Sequence, residues 1–187
     1  MNELAEHFSL ERVQKAGAKF DPEKTRWFNQ QYLKTLSNEE IMASLMPLLN
    51  EKKIEVSYNY VMKVVEVMRE RIFFVKDIFE DGKYFFLTPE EYDKQIVVKK
   101  WTVETPALLS GLAEELKYIE DFTATNIEMQ NKTYCEKKGL QAGQVMNALR
   151  LVIVVANTGP GIFQIIEIIG KEETLLRIKK AVMKIRI

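Results

Sequence analysis

Two arginines stand where a charge is hardest to explain. Arg71 falls in a row with Tyr60, Val64, Val67, Phe74 and Ile78, which recurs at spacings of three and four and is otherwise apolar. A guanidinium in such a row must find a partner or reach a wet edge, because burying it unpaired is expensive. From pattern alone two readings stay open: a snorkelling or internally ion-paired arginine, and a rigid fork of donors held against a base edge. Arg150, just ahead of the apolar stretch Leu151 to Ala156, poses the same choice. Further on, Gly159-Pro160-Gly161 reads as a turn leading into a helix start at Ile162, where free N–H groups favour anions or carbonyl oxygens. It is not a nucleotide phosphate loop, since no Gly-Lys-Ser/Thr follows at Walker spacing. Finally, Arg177, Lys180 and Lys184 recur at spacings of three and four. Such a strip can track a phosphate backbone, or it can simply favour a helix C-terminus and keep one face solvated.

Other chemistry is excluded by the inventory. The chain has one Cys, Cys135, and one His, His7, so a disulfide framework, a His/Cys zinc site and a nucleophilic triad all lack their parts. The paired carboxylates Glu39/Glu40, Glu90/Glu91 and Glu172/Glu173 sit at helix starts, where capping and the dipole account for them. Trp27, Trp101, Tyr84 and Phe85 are either base-stacking groups or core. The formal net charge is zero, which argues against wholesale non-specific binding of nucleic acid and leaves room for a local basic strip. No signal peptide or membrane span is expected, and a reducing cytosol suits the single cysteine.

The elements that position these groups read as helices. With 187 residues, 47% hydrophobic, and few Gly and Pro, an all-α fold with a real core is expected. Asp21-Pro22-Glu23 and the capping-box pattern Ser37 to Glu40 open the first two helices, and Pro47 is a possible kink in the second. One long helix is predicted through Val61, Val65, Met68, Ile72, Val75 and Phe79, stopping at Asp81-Gly82. Gly17 to Phe20 reads as a loop, Lys83 to Leu87 is ambiguous, and Thr88-Pro89-Glu90-Glu91 restarts a short helix. Helices follow from Thr105-Pro106, from about Phe122 to Lys138 with Gly139 as terminator, from Ile162 to Gly170, and from Lys171 to the end. Leu149 to Val155 looks like a strand by propensity, but it has no partner strand and is assigned to helix. A boundary is placed near Lys94 to Trp101, where the pattern weakens.

Specific strings go further. Phe8-Ser9-Leu10-Glu11-Arg12-Val13, Lys15 to Asp21 and Trp27 to Leu33, then Gly139 to Val145, Leu149-Arg150, Gly159-Pro160 and Ile168 to Glu173, resemble bacterial glutamyl-tRNA synthetases in the family's order. The resemblance spans nearly the whole chain. It implies the end of a stem-contact region over 1–36 and two consecutive anticodon-binding helical sub-domains, 37–100 and 101–187, forming a helical cage. The HIGH-type and KMSKS-type signatures are absent, so the resemblance implies an inactive fragment whose parent uses ATP and Mg to join glutamate to tRNA. By the same likeness, Arg69-Glu70-Arg71 matches the family's Arg-x-Arg, Arg71 reads the third anticodon base, and Arg150 is the second anticodon arginine. Pro160 and Ile162 are loop contacts, and Gly159 stands where some members carry Thr. The segment Lys117 to Lys138 is longer than in compact members. The expected partner is tRNA(Glu), not DNA or a membrane, with a cytoplasmic monomer and no cofactor in this part. A helical protein–protein adaptor is the rival reading, supported by the neutral charge and the wide apolar faces.

Overall fold

The computed structural model describes residues 6–9, 20–155 and 159–186, and among them every regular element is helical. Helix α1, Pro22–Thr35, begins as its residues dictate: the Asp21 side chain accepts from the Glu23 and Lys24 amides at 3.0 and 3.1 Å, with Pro22 in the first turn. Helix α2, Asn38–Glu51, has a complete capping box: Glu40 N donates to Ser37 Oγ at 3.2 Å and Ser37 N donates to the Glu40 carboxylate at 2.7 Å. It runs through Pro47 without ending there.

The predicted long third helix breaks. Helix α3, Tyr58–Met68, passes into a single 3-10 turn, Arg69–Arg71, and Ile72 is extended at φ −100°, ψ 152°. The cause is local competition for backbone donors. Asp77 Oδ2 accepts from the Phe73 and Phe74 amides at 3.0 and 2.8 Å, an arrangement a continuous helix would forbid. Arg69 secures the break, donating to Asn38 Oδ1 at 2.6 Å and to the Leu36 carbonyl at 3.1 Å. From α1, the Asn29 side chain donates to the Phe73 carbonyl and Arg26 lies over the Phe73 ring, 5.3 Å from its centroid. Two one-turn helices follow, α4, Asp77–Glu80, and α5, Lys83–Phe86.

No helix starts at Thr88. Its hydroxyl donates to Glu173 at 2.5 Å, and residues 88–93 form no helical turn. The next helix, α6, Lys94–Lys100, is capped instead by Asp93, whose side chain accepts from the Gln95 and Ile96 amides. Helix α7, Thr105–Lys117, and helix α8, Ala124–Lys138, agree with expectation. Gly139 terminates α8 at φ 65°, and Leu140 N donates back to the Cys135 carbonyl at 2.9 Å. Helix α9, Ala142–Ile153, absorbs most of the strand-like stretch and buries Leu149, Leu151, Val152 and Ile153. Helices α10, Ile162–Ile169, and α11, Lys171–Lys184, close the chain.

The core is continuous from Leu33 to Ile185. Helix α10 joins its two halves, packing on α3 and α5 from the first and on α8, α9 and α11 from the second. Residues 17–19 of the expected Gly17 to Phe20 loop, and residues 156–158 ahead of the Gly159-Pro160-Gly161 turn, lie outside the described residues.

Candidate nucleic-acid interface

Arg71 closes the 3-10 turn after α3 with its side chain exposed, and it forms no hydrogen bond or ion pair among the described residues. It is therefore not on the buried stripe of a long helix. The break after Met68 turns it out of the core. Arg69, two residues earlier, spends its donors on the fold, so the Arg-x-Arg pair divides its labour.

Arg150 leaves α9 from the other half of the chain. It is half-buried, and Nη2 donates to the Pro160 carbonyl at 2.8 Å, fixing the turn that precedes α10. Its Nη1 is buried and has no partner among the described residues. No carboxylate pairs with it there.

Tyr84 relates the two arginines. This side chain of α5 is only 5% exposed. Burial pushes its phenol up to about 12, while the Arg150 and Arg71 charges act on it in the opposite sense and Asp81 opposes them. The phenol is thus neutral near pH 7 and lies within the field of both guanidiniums. Gly159 packs over the same ring at φ 138°; a Cβ there would stand 3.0 Å from the Tyr84 hydroxyl and 3.6 Å from Arg150 Nη1.

The remaining candidates separate. Pro160 is buried and Ile162 is 2% exposed, so the Ile162 side chain is core and not a surface contact. What this turn offers is backbone, with Gly161 N donating to Gln164 Oε1 at 3.3 Å. Arg177 is a correction. It is 2% exposed and cannot contact a phosphate. Its Nε donates to Glu173 at 2.7 Å, Nη1 to the Tyr84 and Ile153 carbonyls at 2.8 and 2.9 Å, and Nη2 to the Leu87 carbonyl at 3.4 Å. The Glu173 carboxyl is pushed up by burial, but the Thr88 hydroxyl and Arg177 outweigh this and hold it below the ordinary value. Arg177 thus ties α5 to the end of α9. Lys180 is exposed; Lys184 is exposed too and donates to the Glu90 carbonyl. Of the aromatics, Trp101, Tyr84 and Phe85 are core, whereas Trp27 is 53% exposed with its ring edge-on to Phe28.

The sequence reading missed Arg177 as part of the core. Glu173, four residues ahead of Arg177, was the available signal for an internal pair.

A surface of donor groups suits recognition, and the comparisons identify its kind. A family model described as an anticodon binding domain matches residues 40–182. The chain belongs to this family. Its helical architecture agrees with that of solved relatives. The crystal structure of a glutamate tRNA ligase from Elizabethkingia meningosepticum matches 99% of this anticodon-binding chain with a TM-score of 0.89 at 43% identity, covering 37% of that protein. The enzyme from Elizabethkingia anophelis gives a TM-score of 0.84 at 42% identity, covering 98% of this chain and 36% of that one. The glutamate–tRNA ligase of Phocaeicola vulgatus is 43% identical over 182 residues, 97% of this chain and 36% of that protein. The anticodon-binding chain therefore spans about a third of the length of the relatives it matches. These likenesses favour RNA recognition and give the adaptor reading no support. Among the described residues, no helix is long and apolar enough to cross a membrane.

Proposed function

We propose that this chain is the anticodon-reading part of a glutamate–tRNA ligase, gripping the loop of tRNA(Glu) so that the larger enzyme charges the correct tRNA. One observation carries the reading: Arg71 is exposed with its donors unspent, Arg150 Nη1 has no partner, and no carboxylate engages either among the described residues. Guanidiniums donate and never accept, so together they favour a base that presents acceptors, or a phosphate. Anticodon bases are unstacked enough to be reached this way. Lys180 and Lys184 add salt-sensitive attraction to the backbone, which orients the RNA without reading it.

In this reading Arg71 reads the third anticodon base, Arg150 a neighbouring one, and the Gly159-Pro160 turn holds the loop through its backbone. The two sub-domains, 37–100 and 101–187, supply one wall each. The chemistry of glutamate activation, with ATP and Mg, belongs to segments other than these helices. The enzyme acts as a cytoplasmic monomer on tRNA, not on DNA.

The test is Arg71→Gln in the full ligase. The ratio of kcat/KM for cognate tRNA to that for tRNA with a glutamine anticodon should fall by the equivalent of about 1–3 kcal/mol, the worth of a good bidentate base contact. An unchanged ratio would sink this assignment.

A further inference from the structure

The backbone that bears Arg71 is anchored on both sides. Two residues ahead of it, Arg69 donates from Nη1 to Asn38 Oδ1 at 2.6 Å and from Nη2 to the Leu36 carbonyl at 3.1 Å. Two residues beyond it, Phe73 is fastened three ways. Its amide donates to Asp77 Oδ2 at 3.0 Å, its carbonyl accepts from the Asn29 side chain, and its ring lies beneath Arg26, 5.3 Å from centroid to guanidinium. Arg71 takes no part in any of these bonds.

Most of the anchoring groups come from one helix and the joint that follows it. Arg26 and Asn29 stand on α1, Leu36 is its C-terminal cap, and Asn38 opens α2. Arg26 and Asn29 are three residues apart and so share a face of α1. The Leu36 carbonyl is among the acceptors at the end of α1, where the dipole also favours a guanidinium. The matched anticodon-binding span begins at residue 40. The turn bearing Arg71 is therefore gripped from outside that span.

The grip opposes a definite alternative. The apolar spacing through Val61, Val65, Met68, Ile72, Val75 and Phe79 favours continuing α3 as one helix. In that state Arg71 would line up with Tyr60, Val64 and Val67, and Val64 is fully buried. The Phe73 carbonyl would then point along the axis toward the Asp77 amide. Asn29 can hold that carbonyl only while the helix is broken. With the break fixed, Arg71 meets a base with little backbone freedom left to lose.

We propose that Asn29 and Arg69 are specificity-determining positioning residues: they pin the two flanks of the turn to α1 and its end, and so hold the Arg71 fork in the orientation that distinguishes the third anticodon base. The inference rests on the reading of that base by Arg71 and deepens it. Both residues act through Arg71 and not on the RNA. Helix α1 is thereby part of the selectivity apparatus, and its displacement is felt at the reading edge.

The experiment uses the full ligase with cognate tRNA and with tRNAs altered at a single anticodon base, and reads the ratio of kcat/KM between them. Asn29→Ala removes the donor to Phe73 and should lower third-base discrimination about three- to tenfold, the worth of one hydrogen bond. Arg69→Lys keeps the charge, loses the fork and should do the same. Discrimination at the neighbouring base, which the proposed function gives to Arg150, should be unchanged; a general loosening of the fold would lower both. In an Arg71→Gln background Asn29→Ala should cost nothing further, because the two act as a unit. If Arg71→Gln lowers third-base discrimination while either anchor variant does not, the proposal is overturned and the reading by Arg71 stands. Equal losses at both bases, or a further loss in the Arg71→Gln background, overturn it as well. If Arg71→Gln leaves the ratio unchanged, the reading itself fails and the proposal falls with it.

Discussion

Arg177 and Arg71 are the same side chain put to opposite uses. Arg177 is buried, and each nitrogen of its guanidinium has an acceptor: one carboxylate and three backbone carbonyls. Arg71 is exposed and has no hydrogen bond or ion pair among the described residues. The difference teaches where a charge serves the fold and where it serves a ligand. Satisfied donors fasten elements together, and unsatisfied donors on a wet rim wait for acceptors from outside. Arg150 stands between the two, with Nη2 spent on Pro160 and Nη1 unspent.

The contrast can be broken most forcefully at Arg177. Arg177→Met should destabilise the chain by about 3–5 kcal/mol, the cost of removing one partner from a buried pair, measured by urea denaturation. A loss below about 1 kcal/mol would mean that the buried guanidinium contributes little to holding α5 against α9. A milder change comes from pH. The Glu173 carboxyl is held below its ordinary value, so its contribution to stability is present above the unfolded pKa, near 4.5, and is lost as pH falls through the lower folded value. The stability gap between wild type and Glu173→Gln should therefore be constant at neutral pH and narrow below about pH 4.5; a gap independent of pH would contradict the arrangement.

Smaller effects sharpen the other side of the comparison. Lys180→Ala should weaken RNA binding uniformly across loop sequences and reduce the slope of log affinity against log salt by about 1. A sequence-dependent loss would instead make Lys180 a reader. The smallest expected effect is on the stability of Arg71→Gln, which should stay within about 0.5 kcal/mol of wild type, as for an ordinary surface position. A large loss there would show that Arg71 serves the fold after all.

Much of the fold was legible because helix ends are written in local chemistry. Asp21, Ser37 with Glu40, and Gly139 each act as their residue types dictate. The break after Met68 was not legible, because the apolar spacing continues through it. Only the Asp77 carboxylate, reaching back to two amides, interrupts the helix. The expected restart at Thr88 does not form, and its hydroxyl donates instead to a carboxylate 85 residues away. Val155 shows the same limit, since nothing in a β-branched run announces a residue at φ 57° just past a helix end.

At the site, Arg71 and Arg150 were visible as charges out of place, and the resemblance supplied a reason for them. The basic strip misled. Arg177, Lys180 and Lys184 share a spacing, yet Arg177 also lies three residues from Thr174 and four from Ala181, both fully buried. Spacing alone does not say which neighbours a helix will turn toward.

The Arg177 clasp has a consequence for timing. It joins Tyr84 and Leu87 to Ile153, so under the proposed function the end of the helix bearing Arg150 is held against α5 before RNA arrives. An incoming loop meets a mould already set, and the entropy of shaping it was spent during folding. Heat that loosens this clasp should erase selectivity at the temperature where the helices part, with no intermediate range in which the protein stays folded but reads indiscriminately.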